Sequence, residues 1–133
     1  MAEVLVVDDA LMYRELLEMA LARLGHTVRL ADNGDAALRE IGRQLPDVLL
    51  LDMCMPGLSG VGVLQRLRAE RRFVDLPVIM LTSSSDRDDV MSCRRLGVSG
   101  YVLKTDLKLA HLASRISEAV SPAPDVEDLT EAA

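Results

Sequence analysis

A surplus of basic charge is missing from this chain: 15 Lys and Arg stand against 21 Asp and Glu, giving a formal charge of −6 and a pI near 4.8. Affinity for a phosphate backbone rests on excess Lys and Arg, so no direct nucleic-acid partner is expected. Cysteine is scarce as well. Cys54 and Cys93 are too few for a disulfide framework and too far apart in sequence for a paired metal-ligand motif, a usage that suits a reducing cytosol. No apolar run approaches about 18 residues, and no basic, apolar, small-residue leader precedes the first apolar segment. The expectation is a cytoplasmic chain with neither membrane span nor secretory signal. Repeats and low-complexity tracts are also lacking, and 133 residues fit one domain able to bury a core without staples.

What is present centres on Asp47 to Gly60, which contains Val48-Leu-Leu-Leu-Asp52 followed by Met53-Cys54-Met55-Pro56-Gly57. An apolar run too short for a helix and closed by Met-Pro-Gly reads as a strand buried on both faces, the habit of central parallel strands. Asp52 sits where the strand runs out. Alone, it would read as an ordinary turn initiator. The chain opens, however, with a second such strand, Glu3 to Val7, ending in Asp8-Asp9, and parallel strands align their carboxyl ends along one edge. If these strands are neighbours, three carboxylates converge and repel one another unless a cation neutralises them, which implies a divalent metal site.

Along the chain, strands and helices alternate. Leu11, Leu16, Leu17, Ala20, Leu21 and Leu24 recur at helical spacing until Gly25, and Thr27 to Ala31 alternates as a second strand. Asp32-Asn33-Gly34-Asp35 is a turn carrying its own helix cap, and Ala37, Leu38 and Ile41 face inward on a helix running to about Gln44. A third helix begins near Ser59 with Val63, Leu64 and Leu67 inside. Pro77 opens a strand from Val78 to Leu81 that ends at Thr82, and Ser85 caps a fourth helix through Arg94. Ser99 to Leu103 is the fifth strand, ending at Lys104. Leu107 to Val120 is the last helix, with Leu109, Leu112, Ile116 and Val120 on one face. Five such units predict a doubly wound α/β sheet of five parallel strands, with Asp8, Asp9, Asp52, Thr82 and Lys104 all on one rim. Residues 121–133, with prolines and scattered acids, read as a disordered acidic tail or the start of a linker after a domain over residues 1–120.

Aspartates are hard oxygen ligands suited to Mg²⁺. Lys104 is a point cation able to hold an anion, and the Thr82 hydroxyl can donate to an anionic oxygen. Taken singly, Thr82 is a strand-end cap and Lys104 a solvated lysine. Together with the acids they describe a phosphoryl-transfer site, with Asp52 the preferred nucleophile because it ends the most central strand.

The ordered set Asp8-Asp9, Asp52 with Met55-Pro56-Gly57, Thr82 and Lys104 resembles the receiver domain of two-component response regulators over residues 3–120. The resemblance implies a flavodoxin-like (βα)5 fold with strand order 2-1-3-4-5. It implies that Asp52 takes a phosphoryl group from a histidine kinase or a histidine phosphotransfer protein. Asp9, Asp52 and the Cys54 backbone carbonyl would bind Mg²⁺, with Asp8 acting largely through a metal-bound water. Lys104 would pair with the phosphoryl group and Thr82 would swing toward it, while Tyr101 matches an aromatic switch position. The readout would be a downstream protein target, or a homodimer through the fourth helix, fifth strand and fifth helix.

Departures from the family pattern are equally specific. Thr105 stands where a proline usually follows the active-site lysine, commonly after a cis bond, and a non-proline cis bond costs about 2.5 to 4 kcal/mol. Cys54 and Ser84 occupy positions that tune phosphate loss, and neither orients an attacking water well. The residues after Val120 are too few for a helix-turn-helix. Two other classes compete with the switch. A degenerate receiver used only for binding would not need the acid cluster, and an aspartyl-phosphate hydrolase would want a second acid where Cys54 stands. Arg66, Arg68, Arg71 and Arg72 read as a solvated helix end, Arg94 and Arg95 as lying near the family's partner face. Cys93 reads as core or boundary, and the methionines as packing, except that Met12 could touch a docking histidine protein. His26 and His111 receive neither a metal nor a phosphate role.

Overall fold

A computed structural model describes residues 1–83 and 87–120. Its strands are β1 (Glu3–Val7), β2 (Thr27–Ala31), β3 (Val48–Asp52), β4 (Val78–Thr82) and β5 (Gly100–Leu103). The helices are α1 (Leu11–Arg23), α2 (Gly34–Arg43), α3 (Gly60–Arg68), α4 (Arg87–Leu96) and α5 (Leu109–Val120), with 3-10 turns at Arg71–Phe73 and Lys104–Asp106. All strand pairs are parallel, in the order β2-β1-β3-β4-β5. This is the doubly wound topology expected from the alternating pattern.

Alternation along the strands builds two cores. Leu5, Val7, Leu49, Leu51, Val78 and Met80 face α2, α3 and α4, where Ala37, Ile41, Val63, Leu64, Leu67 and Cys93 meet them. Val4, Val6, Val48, Leu50, Ile79 and Leu81 face Leu17, Leu21, Leu112 and Ile116 of α1 and α5. β3 and β4 are buried along their whole length, as an unbroken apolar run between two helical layers must be. Two helix starts are fixed by side-chain caps. Asn33 accepts from the Ala36 N–H at 2.8 Å, and Ser59 accepts from the Gly62 N–H at 3.1 Å.

Several local expectations shift. α1 places Leu17 and Leu21 on the sheet but leaves Leu11 60% and Leu16 47% exposed. The i, i+4 pair is fully buried on the strands, with Ala20 and Leu24 partly buried beside it, while Leu16 lines a shallow groove with Leu107 and Leu109 near the start of α5. The chain after β5 first makes the Lys104–Asp106 turn, so α5 begins at Leu109, later than its apolar pattern indicates. There it buries Leu112, Ile116 and Ala119, while Leu109 is 41% exposed and Val120 only half-buried. No cis peptide bond occurs among the described residues, so Lys104–Thr105 is trans. Ser84, the Ser85 cap and residues 121–133 lie outside the described residues.

Candidate functional site

Parallel register brings the sequence-predicted residues to one rim. Val7 pairs with Leu51 and Asp52 with Leu81, so Asp8 and Asp52 emerge from adjacent strands. Thr82 pairs with Leu103, the residue before Lys104. Asp8, Asp52 and Thr82 are buried polar residues at 0%, 3% and 5% exposure, whereas Asp9 is exposed.

At the centre is an ion-paired triad. Lys104 Nζ lies 2.7 Å from Asp8 Oδ2 and 3.1 Å from Asp52 Oδ2. The other Asp8 oxygen accepts from the Ala10 N–H at 2.9 Å, and the other Asp52 oxygen accepts from the Cys54 N–H at 3.3 Å. Burial pushes the Asp52 carboxyl up to about 6, with the Asp8 charge adding to the rise against the lowering pull of Lys104 and the Cys54 N–H. Lys104 itself is raised above the ordinary lysine value. Burial alone would lower it, but its hydrogen bonds to Asp8 and Asp52 and their charges prevail.

Carboxylate oxygens of Asp8, Asp9 and Asp52 all fall within 4.8 Å of one another. Three carboxylates thus gather where one ammonium pairs with two of them, Asp8 and Asp52, leaving negative charge that a single lysine does not neutralise. Hard, negatively charged, mutually repelling oxygens on an open rim are the donor set that Mg²⁺ requires, so the residues fit the ion. Cys54, two residues beyond Asp52, has an exposed thiol.

Tyr101 lies half-buried against the α3–α4 core, and its hydroxyl donates to the Val90 carbonyl of α4 at 2.8 Å. Burial raises this hydroxyl's pKa. The proposed switch aromatic is therefore tied to α4 in this conformation. The close approach of α3 to β3 depends on Gly60, where an added Cβ would overlap the Asp52 carbonyl oxygen. Gly57 adopts a φ of +75°, which explains a glycine after Met55-Pro56.

Two residues around the site were not singled out by sequence reasoning. The Arg14 guanidinium donates to the Asp8 carbonyl at 2.8 Å, fastening the acidic loop to α1. The Tyr13 ring lies under Lys104 Nζ, 4.5 Å from its centroid. Their only signal is position on the first turns of the helix that follows the acid pair. Arg68 corrects an expectation: it is no solvated helix end. Its guanidinium donates to the Phe73, Leu76, Leu96 and Gly97 carbonyls, each at 2.8 Å, at the opposite edge of the sheet.

Residues 4–117 match the family described as the response regulator receiver domain. The chain is 40% identical over 102 residues to a probable transcriptional regulator, ycf27, of Guillardia theta, covering 77% of this chain and 39% of that protein. It thus spans about two fifths of the length of that relative. It is 37% identical over 103 residues to the chemotaxis protein CheY of Pseudomonas aeruginosa, covering 77% of this chain and 83% of that one. The receiver domain of the sensor histidine kinase PA1611 from the same species, solved with magnesium in its active-site cleft, superposes with a TM-score of 0.82. The identity there is 29%, over 90% of this chain and 97% of the other.

Proposed function

Since this chain belongs to the response regulator receiver family, we propose that it is a phosphorylation-dependent switch in which Asp52 accepts a phosphoryl group from a histidine kinase or a histidine phosphotransfer protein. The observation that carries the reading is the triad of Lys104 with Asp8 and Asp52, at 2.7 and 3.1 Å, on a rim that also holds Asp9 and Thr82. An Asp52 oxygen attacks phosphorus as the donor's P–N bond breaks, and the bonding pair stays on the imidazole nitrogen. Asp8, Asp9, Asp52 and the Cys54 backbone carbonyl would hold Mg²⁺, which supplies neutralisation of carboxylate and phosphoryl charge. Lys104 keeps the nucleophile in place and carries its own positive charge to the transferred group. Thr82 donates its hydroxyl to a phosphoryl oxygen, and its movement alters the packing between Tyr101 and α4.

That movement transmits the signal to the face made by α4, β5 and α5, where a downstream protein or a second copy binds. Among the described residues no helix is long and apolar enough to cross a membrane. With the negative net charge, this supports a cytoplasmic protein-binding role rather than direct nucleic-acid contact. Residues 1–120 carry the switch, and residues 121–133 serve as tail or linker. Incubation with Mg²⁺ and a small phosphodonor, followed by intact-mass measurement, should add one phosphoryl group to the parent chain and none to Asp52→Ala. Equal labelling of both would remove Asp52 from the role.

A further inference from the structure

Lys104 has an awkward task in this fold. It starts beyond β5, at the edge of the sheet, yet its ammonium contacts the carboxylates that end β3 and β1. With neighbouring strands about 4.8 Å apart, the backbones of β3 and β1 lie roughly 10 and 14 Å from that of β5, so the lysine must extend over the sheet to meet the aspartate side chains. A lysine side chain is among the costliest to order. Something must hold it extended over the sheet, and of its two carboxylate partners Asp52 cannot do so throughout, because it is the group to be modified.

We propose that Tyr13 is the positioning residue for Lys104: its ring face holds the ammonium over the acidic pocket while the N–H donors turned toward Asp8 and Asp52 stay available to oxygens. The ring centroid lies 4.5 Å from Nζ, inside the range in which a cation is attracted to an aromatic face. The Lys104 side chain is only 9% exposed, so little water screens the attraction. The ring's place is itself fixed. The neighbouring Arg14 donates to the Asp8 carbonyl at 2.8 Å, and the Ala10 N–H donates to Asp8 Oδ1 at 2.9 Å, so the first turn of α1 is fastened to the acidic loop.

The type of interaction matters. A hydrogen-bonding partner at position 13 would occupy one of the three ammonium donors. An aromatic face attracts the charge as a whole and ties no N–H to a lone pair, so the donors turned toward Asp8 and Asp52 can exchange oxygens. Lys104 can then exchange an Asp52 carboxylate oxygen for a phosphoryl oxygen without leaving the pocket. Tyr13 makes and breaks no covalent bond in this account.

The inference rests on the phosphoryl-transfer reading of Asp52, and two measurements keep the two apart. Initial rates of labelling by a small phosphodonor with Mg²⁺ are compared for the parent, Tyr13→Phe, Tyr13→Leu and a chain carrying pentafluorophenylalanine at position 13. That last ring keeps the aromatic shape and reverses its quadrupole, so it tests the cation–ring attraction without emptying the site. Without Mg²⁺ or donor, the Lys104 ε-methylene proton shifts report the ring current of residue 13. The leucine and fluorinated variants should be labelled about five- to thirty-fold more slowly, with Tyr13→Phe within about two-fold of the parent. The ε-methylene protons should lie upfield in the parent and Tyr13→Phe and return toward ordinary lysine values in Tyr13→Leu. Parent rates in the fluorinated variant, a Tyr13→Phe as slow as the fluorinated chain, or no upfield shift in the parent would each overturn the proposal. A parent chain that takes no phosphoryl group would instead overturn the Asp52 reading, with the shift comparison still deciding whether Tyr13 holds Lys104.

Discussion

Asp52 is held in tension by its surroundings: burial and the Asp8 charge push its carboxyl up to about 6, while Lys104 pulls down. An acid whose folded pKa lies above its ordinary value binds its proton more tightly when folded. Its contribution to stability is therefore fully present below about pH 4 and is lost as pH rises through about 6. In the absence of divalent cations, Asp52→Asn should be more stable than the parent at pH 8 by about 1–2 kcal/mol. The gain should shrink at pH 4, where the parent acid is protonated. It should shrink also in Mg²⁺, because an ion held by the acid cluster of the folded parent would stabilise it. Thermal melts across pH measure this, and an advantage unchanged between pH 4 and 8 would contradict it. Gly60 and Gly62 offer a contrast of a different kind. A Cβ at Gly60 would overlap the Asp52 backbone carbonyl, whereas at Gly62 it would meet the far end of the Leu58 side chain at 2.7 Å. Gly60→Ala should lose at least about 2–3 kcal/mol in urea unfolding and impair labelling of Asp52. Gly62→Ala should change stability by no more than about 1 kcal/mol, because side-chain crowding is offset by improved helix propensity.

At the scale of elements, α3 does more than cover the sheet. Through Arg68 its last turn is joined to the carbonyls of Phe73 and Leu76 before β4 and of Leu96 and Gly97 at the end of α4. The planar guanidinium suits several acceptors arranged around it, and an ammonium at the same place cannot reach them all. Arg68→Met should cost about 2–4 kcal/mol, and Arg68→Lys should recover less than half of that loss, both read from urea unfolding. Full recovery by lysine would show that charge alone matters there. The same residue marks the limit of what sequence discloses. β1, β3 and β4 were legible because unbroken apolar runs in a sheet covered on both faces have few alternatives, and the polar residues at their ends lie together once parallel register is granted. Arg68, Tyr13 and Arg14 were not legible. Their partners are backbone carbonyls or a side chain up to 91 positions away, and neither leaves a periodic trace. The Lys104–Asp106 turn was hidden for a related reason: the apolar pattern of α5 begins at Leu107, but the chain first turns with Lys104 aimed into the pocket.

Over the whole molecule, the proposed chemistry and the proposed readout occupy different parts of the surface. Phosphorylation of Asp52 would add roughly 1.5 to 2 negative charges beside Thr82 and Lys104. The Tyr101 hydroxyl, bonded to the Val90 carbonyl, links β5 directly to α4. A stable phosphoryl mimic with Mg²⁺ should therefore move backbone amide shifts in residues 87–112 as well as in the acidic loops. Changes confined to the loops would break the link to the α4–β5–α5 face, and a doubled mass in the same samples would identify a second copy as the bound partner. The pocket is also built from segments far apart in the chain: Asp8 follows β1, Asp52 ends β3, Thr82 ends β4 and Lys104 follows β5. A chain emerging from synthesis carries its acids long before its ammonium, and any species with β5 undocked has the nucleophile without its cation. On the proposed function, phosphoryl acceptance would then be coupled to assembly: copies whose last strand has not docked would lack the lysine that steadies the nucleophile and would be poorer acceptors than finished ones.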